Sequence, residues 1–304
     1  MKVWSGCKQI FKGIVSRLVE KGTITTPVIQ DADPAKWRAH LYGLTPGRWA
    51  SLQGKAFWIT GAGTGYGHCL ACALAAAGAQ VFLTGRRPEK LQESIGEIGV
   101  MGIPTQNCFA IPADLSNPES ILQACEKVKS LSEALNGLVN NAAIPSTGRA
   151  GISKPLQEEP LESWERMMKV NVTAPWLLTR AIFPHMLRSQ HARVLFITSE
   201  AGWAATAGVG IYNISKAALN SLAQSIAAEY AHSFPKEDIQ MNTLVPGEAR
   251  TEMNQGSTVS PYAVVSMALI LLSHPEGGPN GRFFARDGRH LSFGHTMPYG
   301  KPLI

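Results

Sequence analysis

From Lys55 onward, short apolar runs alternate with longer stretches in which apolar residues recur at helical spacing. The runs at 55–60, 80–84, 107–111, 137–141, 193–198, 240–245 and 281–285 read as strands, because each is brief, rich in β-branched or aromatic residues and bounded by turn formers. Between them, 66–77, 88–97, 118–134, 161–190, 211–232 and 261–273 read as helices. Strands apolar on both faces and separated by helices predict right-handed βαβ units. The expected fold is doubly wound α/β of the Rossmann type, a central parallel sheet of about seven strands with helices on both faces.

Before Lys55 the pattern changes. Val3, Trp4, Ile10, Phe11, Ile14, Val15, Leu18 and Val19 recur at roughly helical spacing between basic residues, which predicts an amphipathic helix over 3–21. Residues 22–53, with Pro27, Pro34, Pro46 and Gly47, read as an extended arm. The chain therefore divides into an extension, 1–53, and one domain, 54–304.

Charge alters this picture only at the N-terminus. Residues 1–21 carry +4 of the net +6, so the rest of the chain is close to neutral and offers no basic stripe for a nucleic acid. The 3–21 helix is too interrupted by charge to span a bilayer; it fits either peripheral contact with an anionic membrane or packing on protein. Five cysteines, an odd number, do not suggest a disulfide framework, and a cytoplasmic setting, with or without membrane association, is expected. Cys69 and Cys72 form a CxxC without a second pair, so helix packing is the expectation and a metal site is not.

The first strand runs into Thr60-Gly61-Ala62-Gly63-Thr64-Gly65-Tyr66-Gly67 and then a helix. Glycines there let the backbone approach a pyrophosphate, whose charge the helix N-terminus favours. The second strand ends Thr84-Gly85-Arg86-Arg87, where an NAD site usually places an acidic side chain for the ribose hydroxyls. Guanidinium groups instead suit a 2′-phosphate, with Arg86 the first choice and Arg87 the second, so NADP(H) is expected over NAD(H). Tyr212 and Lys216 form a YxxxK pair one helical turn apart. A phenol with a pKa near 10 needs roughly 4 kcal/mol of differential stabilisation to act as a base at neutral pH, and a nearby ammonium can contribute to it.

The TGxxxGxG spacing with YxxxK resembles the short-chain dehydrogenase/reductase family, in its compact single-domain branch, over about three-quarters of the chain. The resemblance implies further roles. Asp114-Leu115 would cap the adenine. Asn141-Ala142, in Asn140-Asn141-Ala142-Ala143, would follow the family's NNAG motif with Ala143 in place of glycine. Asn171 and Ser199 would join Tyr212 and Lys216 as catalytic residues. Pro246, Gly247 and Thr251 would close over the nicotinamide amide.

The implied activity is hydride transfer between cofactor and a carbonyl/alcohol substrate. Tyr212 would act as general acid/base, Ser199 would stabilise the forming oxyanion, Lys216 would contact the nicotinamide ribose, and Asn171 would hold a water that links Lys216 to solvent. A homodimer or homotetramer through the long helices near 161–190 and 211–232 is implied as well.

The short segment Glu252 to Ser260 and the small apolar residues around Trp203 favour a lipid-like ketone, while Glu200 and Glu248 leave a polar one open. A different class of function, a non-catalytic NADP-binding sensor or scaffold recruited through the basic helix, is the alternative. The proton-transfer set argues against it, since a sensor has no use for those groups.

Overall fold

The computed structural model describes residues 34–145, 156–204 and 208–291. The basic segment 3–21, with the membrane contact expected of it, lies outside these residues. Among the described residues no helix is long and apolar enough to cross a membrane.

Seven parallel strands form the sheet: β1 (Ala56–Thr60), β2 (Gln80–Gly85), β3 (Cys108–Pro112), β4 (Gly137–Asn140), β5 (His191–Ile197), β6 (Asp238–Val245) and β7 (Phe283–Ala285). An eighth, β8 (His290–Leu291), pairs antiparallel with β7 and was not anticipated, because two residues carry no periodicity. The order β3-β2-β1-β4-β5-β6-β7-β8 reverses direction between β1 and β4. In such sheets the crevice outside the strands' carboxyl ends at this switch point is where ligands bind.

Two apolar layers hold the sheet, and the alternation within β1 shows how. Phe57 and Ile59 enter one layer with helices α3 (Gly65–Ala76), α4 (Pro88–Val100) and α9 (Val265–Leu272). Ala56 and Trp58 enter the other with α5 (Pro118–Leu131), α7 (Ala174–Leu187) and α8 (Ile211–Ser233). A strand buried on both faces needs apolar residues at every position, which is why β1 reads as an unbroken run. Trp58 keeps its indole N–H satisfied inside the layer by donating to Thr84 Oγ1 at 2.8 Å.

Two expectations change. The region expected to be one helix over 161–190 is α6 (Leu161–Met168), a π turn (Lys169–Thr173) and then α7. The part of the arm that is described is not extended. It forms α1 (Pro34–Ala39), a 3₁₀ turn (Leu41–Gly43) and α2 (Pro46–Ala50). Leu41 and Tyr42 both sit at positive φ, 51° and 50°, which costs on the order of 1 kcal/mol each. Burial offsets that cost. Trp37 and Tyr42 are each 1% exposed, and both rings lie close to Tyr262, with centroids 6.0 and 6.3 Å away. The turn formers dominated the local pattern, whereas the aromatic residues that make the segment pack have partners far along the chain.

Cys69 and Cys72 are free and buried on α3, and burial pushes the Cys72 thiol up to about 12, as suits packing residues.

Trp37→Ala is expected to cost about 3–5 kcal/mol, the usual range for removing a buried tryptophan. Urea unfolding of the variant checks this, and a cost under about 1 kcal/mol would mean the segment is not part of the folded unit.

Candidate active site

The turn after β1 is shaped by close approach. Gly61 has a positive φ of 66°, and a Cβ there would meet the Ala142 backbone at 2.9 Å. On Gly67 a Cβ would lie 2.3 Å from the Gly61 carbonyl oxygen and 2.7 Å from Asn141 Nδ2. Only glycine lets α3 start this close to the strand end. Gly65 also has a positive φ, 58°, and opens α3, whose first amides have no intrahelical partner.

The same turn is stitched to the end of β4. Asn141 Nδ2 donates to the Thr60 and Gly61 carbonyls at 2.8 and 3.2 Å. In return Thr60 Oγ1 accepts from the Asn141 and Ala142 amides, both at 3.0 Å. Ala143, where the family resemblance would place glycine, is not at positive φ, so its methyl group costs the turn nothing. On the other side Ser94 donates to the Ala62 carbonyl at 3.1 Å. Its hydroxyl oxygen also lies 2.7 Å from His68 Nδ1.

A cleft of about 1410 Å³, mouth included, opens over this turn. Gly61, Gly63, Thr64, Gly65 and Tyr66 line its floor, and Gly85, Arg86 and Arg87 come from the end of β2. Asp114, Leu115, Asn141 and Ala142 line the opposite wall, and Thr251, Glu252 and Met253 reach over from the segment after β6. Gly67 lies buried beneath the floor. Arg86 makes no hydrogen bond or ion pair with another described residue, whereas Arg87 pairs with Glu252. Asp114 accepts from the Ser116 amide at 2.9 Å and from its hydroxyl at 2.8 Å, bonds that hold its carboxyl below the usual range.

Pro246 and Gly247 stand outside the cleft lining, braced from two sides. The Tyr66 hydroxyl donates to the Gly247 carbonyl at 2.8 Å. Arg286 donates to the Pro246 and Glu248 carbonyls at 3.3 and 2.9 Å. The arginine after β7, which follows no family motif, thus supports the loop directly.

Ile144 and Val170 also line the cleft, and Tyr66 on its floor is near enough to Tyr212 for the two hydroxyls to interact electrostatically. Asn171, on the π turn, accepts from the Ile144 amide at 2.9 Å and donates to its carbonyl at 3.1 Å. Its Nδ2 also lies 3.1 Å from Ser215 Oγ on α8. A π turn inserts one extra residue and so redirects the side chains that follow; here it keeps Asn171 buried between the β4 loop and α8. Lys216, 2% exposed, donates from Nζ to the Ile197 carbonyl at 3.0 Å and lies 5.6 Å from the Tyr212 ring centroid.

Burial brings the Lys216 ammonium down to about 8. Tyr212 goes the other way. Burial, helped by the Glu200 carboxylate, raises its phenol to about 12, against the opposing pull of a Ser199 hydrogen bond. In the protein by itself burial outweighs any lowering of this phenol by the Lys216 ammonium, which donates to a backbone carbonyl of β5. Ser199 also accepts from the Ala201 amide at 3.2 Å, which fixes its hydroxyl at the end of β5.

A glycine turn at the switch point of a doubly wound sheet, tied by hydrogen bonds to the helix that carries Tyr212 and the buried Lys216, defines the Rossmann-type class of oxidoreductase folds. The profile of the short chain dehydrogenase family matches residues 55–260, and the chain belongs to that family of oxidoreductases. It is 33% identical over 219 residues to the rhamnolipids biosynthesis 3-oxoacyl-[acyl-carrier-protein] reductase of Pseudomonas aeruginosa, covering 70% of this chain and 80% of that protein. A short chain dehydrogenase structure from Salmonella enterica serovar Typhi superposes with a TM-score of 0.70 at 27% identity, over 80% of this chain and 99% of that one. A metagenomic short-chain oxidoreductase in complex with NADP gives 0.65 at 28% identity, over 76% and 96%.

The depressed Lys216 pKa has a stability consequence. Between about pH 8 and the unfolded value near 10.5, the unfolded chain holds a proton at Lys216 that the folded protein has released. Folding is therefore relieved of the buried charge as pH rises through this window. Against Lys216→Met, wild type is expected to gain up to about 1.4 kcal/mol per pH unit between pH 8 and 10. Paired denaturant titrations measure it; a pH-independent difference would show that Lys216 titrates normally.

Proposed function

We propose that this protein is an NADP(H)-dependent oxidoreductase that interconverts a carbonyl and an alcohol, with Tyr212 as general acid and base. The observation that carries the reading is the hydrogen-bonded path from the glycine turn, through Asn141 and the chain to Ile144, on to Asn171 and Ser215 on the Tyr212 helix, beside a cleft that Arg86 lines. The residues suit the dinucleotide. Glycines leave room where a Cβ would intrude, the α3 amides are available for a pyrophosphate, and the unpaired Arg86 can meet a 2′-phosphate. Asp114 and Leu115 would flank the adenine, Asn141 and Ala142 the adjoining ribose, and Pro246, Gly247 and Thr251 the nicotinamide amide. Support comes also from the metagenomic relative, which carries NADP.

When bound, the reduced cofactor supplies the hydride that adds to the carbonyl carbon. The remaining chemistry belongs to side chains. Tyr212, its phenol raised to about 12, is protonated at neutral pH and gives that proton to the alkoxide oxygen. Ser199 donates a hydrogen bond to the same oxygen, where negative charge develops. Lys216, charged at neutral pH, favours the phenolate once the proton has left. Asn171 fixes α8 against the β4 loop and would hold the water through which Lys216 and Tyr212 regain a proton. In the oxidising direction the same groups run in reverse.

The short segment after Thr251 favours a bulky, lipid-like ketone, and the Pseudomonas relative, a 3-oxoacyl reductase by name, is consistent with this. We extend the proposal to assembly as a homo-oligomer through α6 and α7, where Leu161, Trp164 and Trp176 are 66%, 39% and 40% exposed.

Tyr212→Phe is expected to lower turnover by about 10²–10⁴-fold while NADPH affinity stays within about two-fold, because the hydroxyl is needed only for proton transfer. Steady-state assays on 3-oxoacyl and steroid-like ketones, beside fluorescence titration, test it; unchanged turnover rules out Tyr212 as the acid. Arg86→Ala is expected to weaken NADPH by about 10- to 100-fold, the scale of charge-assisted hydrogen bonds, and to leave NADH unaffected. Equal losses for both cofactors would show that Arg86 does not meet the 2′-phosphate.

A further inference from the structure

Arg86 and Arg87 leave β2 side by side, yet only Arg87 is in an ion pair; Arg86 acts on Asp114 through its charge alone. Arg87 Nη2 lies 2.6 Å from Glu252 Oε2, a residue 165 positions later. Glu252 directly follows Thr251, whose methyl group would meet a Cβ built on Gly65 at 3.1 Å. The segment after β6 is thus drawn down onto the phosphate turn at Thr251 and onto the β2 end at Glu252. Both partners of the ion pair line the cleft, so the pair bridges its mouth.

The surroundings make Arg87 the group whose charge is contested. Glu89 and Glu93 on α4 add negative potential around it, while Lys90, which also lines the cleft, is held by Glu93 at 2.5 Å. With the two side chains 45% and 51% exposed, the Arg87–Glu252 pair contributes little to stability. Its consequence lies in what else Arg87 could bind. A phosphate monoester carries nearly twice the charge of a carboxylate and presents three acceptor oxygens to a guanidinium, so it outcompetes Glu252. A ribose with a free 2′-hydroxyl brings no anion and leaves the pair intact.

We infer that Glu252 is a specificity-determining residue of the cofactor cleft: it occupies Arg87 until a 2′-phosphate displaces it. The inference rests on the dinucleotide reading above. Arg86 provides the preference for the phosphorylated cofactor, and Glu252 sets its size by competing for the neighbouring guanidinium.

The test is a titration of NADPH and of NADH into the full chain, comparing wild type, Glu252→Gln, Arg87→Ala and the double variant. Glu252→Gln keeps the side chain's size and removes only its charge, at a half-exposed position that folding tolerates. It is expected to tighten NADPH by about two- to five-fold, the scale of exposed charge pairs, and to leave NADH unchanged. In the Arg87→Ala background most of that gain disappears. An equal shift for both cofactors, weaker NADPH binding, or weaker NADH binding overturns this inference alone, the last by making Glu252 a ribose ligand. If wild type binds neither cofactor, the dinucleotide reading falls and this inference falls with it.

Discussion

Everything at the site depends on how closely the backbone after β1 approaches the end of β4. Thr60 and Asn141 exchange side-chain and backbone hydrogen bonds across that gap, and Gly61 and Gly67 leave it free of side chains. One seam therefore positions two things at once. It places the start of α3 over the cleft, and it sets the direction in which the chain leaves β4. From Ile144, three residues beyond Asn141, the hydrogen-bonded path continues through Asn171 to Ser215 on the Tyr212 helix, and Lys216 ties that helix back to β5. The phosphate turn and the Tyr–Lys pair are thus two ends of one continuous network, anchored on adjacent central strands.

Burial does the rest of the electrostatic work. It keeps the Tyr212 phenol protonated and weakens the hold of Lys216 on its proton, so two groups that are nearly matched in water are driven apart in proton affinity. The cost falls on folding, since a buried ammonium with one carbonyl partner is a poor substitute for a hydrated one.

Much of this could be read from the chain before any coordinates, and the reason is locality. The seven parallel strands, the glycine turn, Arg86 and the Tyr212–Lys216 spacing are patterns contained within a few residues; the strands form as expected, the glycine turn and Arg86 line one cleft, and Lys216 lies near the Tyr212 ring. What escaped depends on partners distant in sequence. The π turn at Asn171 holds one side chain between Ile144 and Ser215, partners 27 and 44 positions away. The folding of residues 34–50 depends on Tyr262, more than two hundred positions away. Arg286 had no motif to announce it, and its part in bracing Gly247 shows only when β7 is laid beside β6. Glu252 sat one position beyond a motif residue, and adjacency to Thr251 was the single signal that could have drawn attention to it.

The central claim is that a dinucleotide bound in the cleft extends from Arg86 toward Tyr212, and a crystal structure of the protein with NADPH tests it most directly. The account predicts the 2′-phosphate on Arg86, the pyrophosphate over the amides that open α3, and the nicotinamide ring beside Tyr212 and Ser199. A cofactor that binds with its nicotinamide directed away from Tyr212, or with its phosphate remote from Arg86, would contradict it.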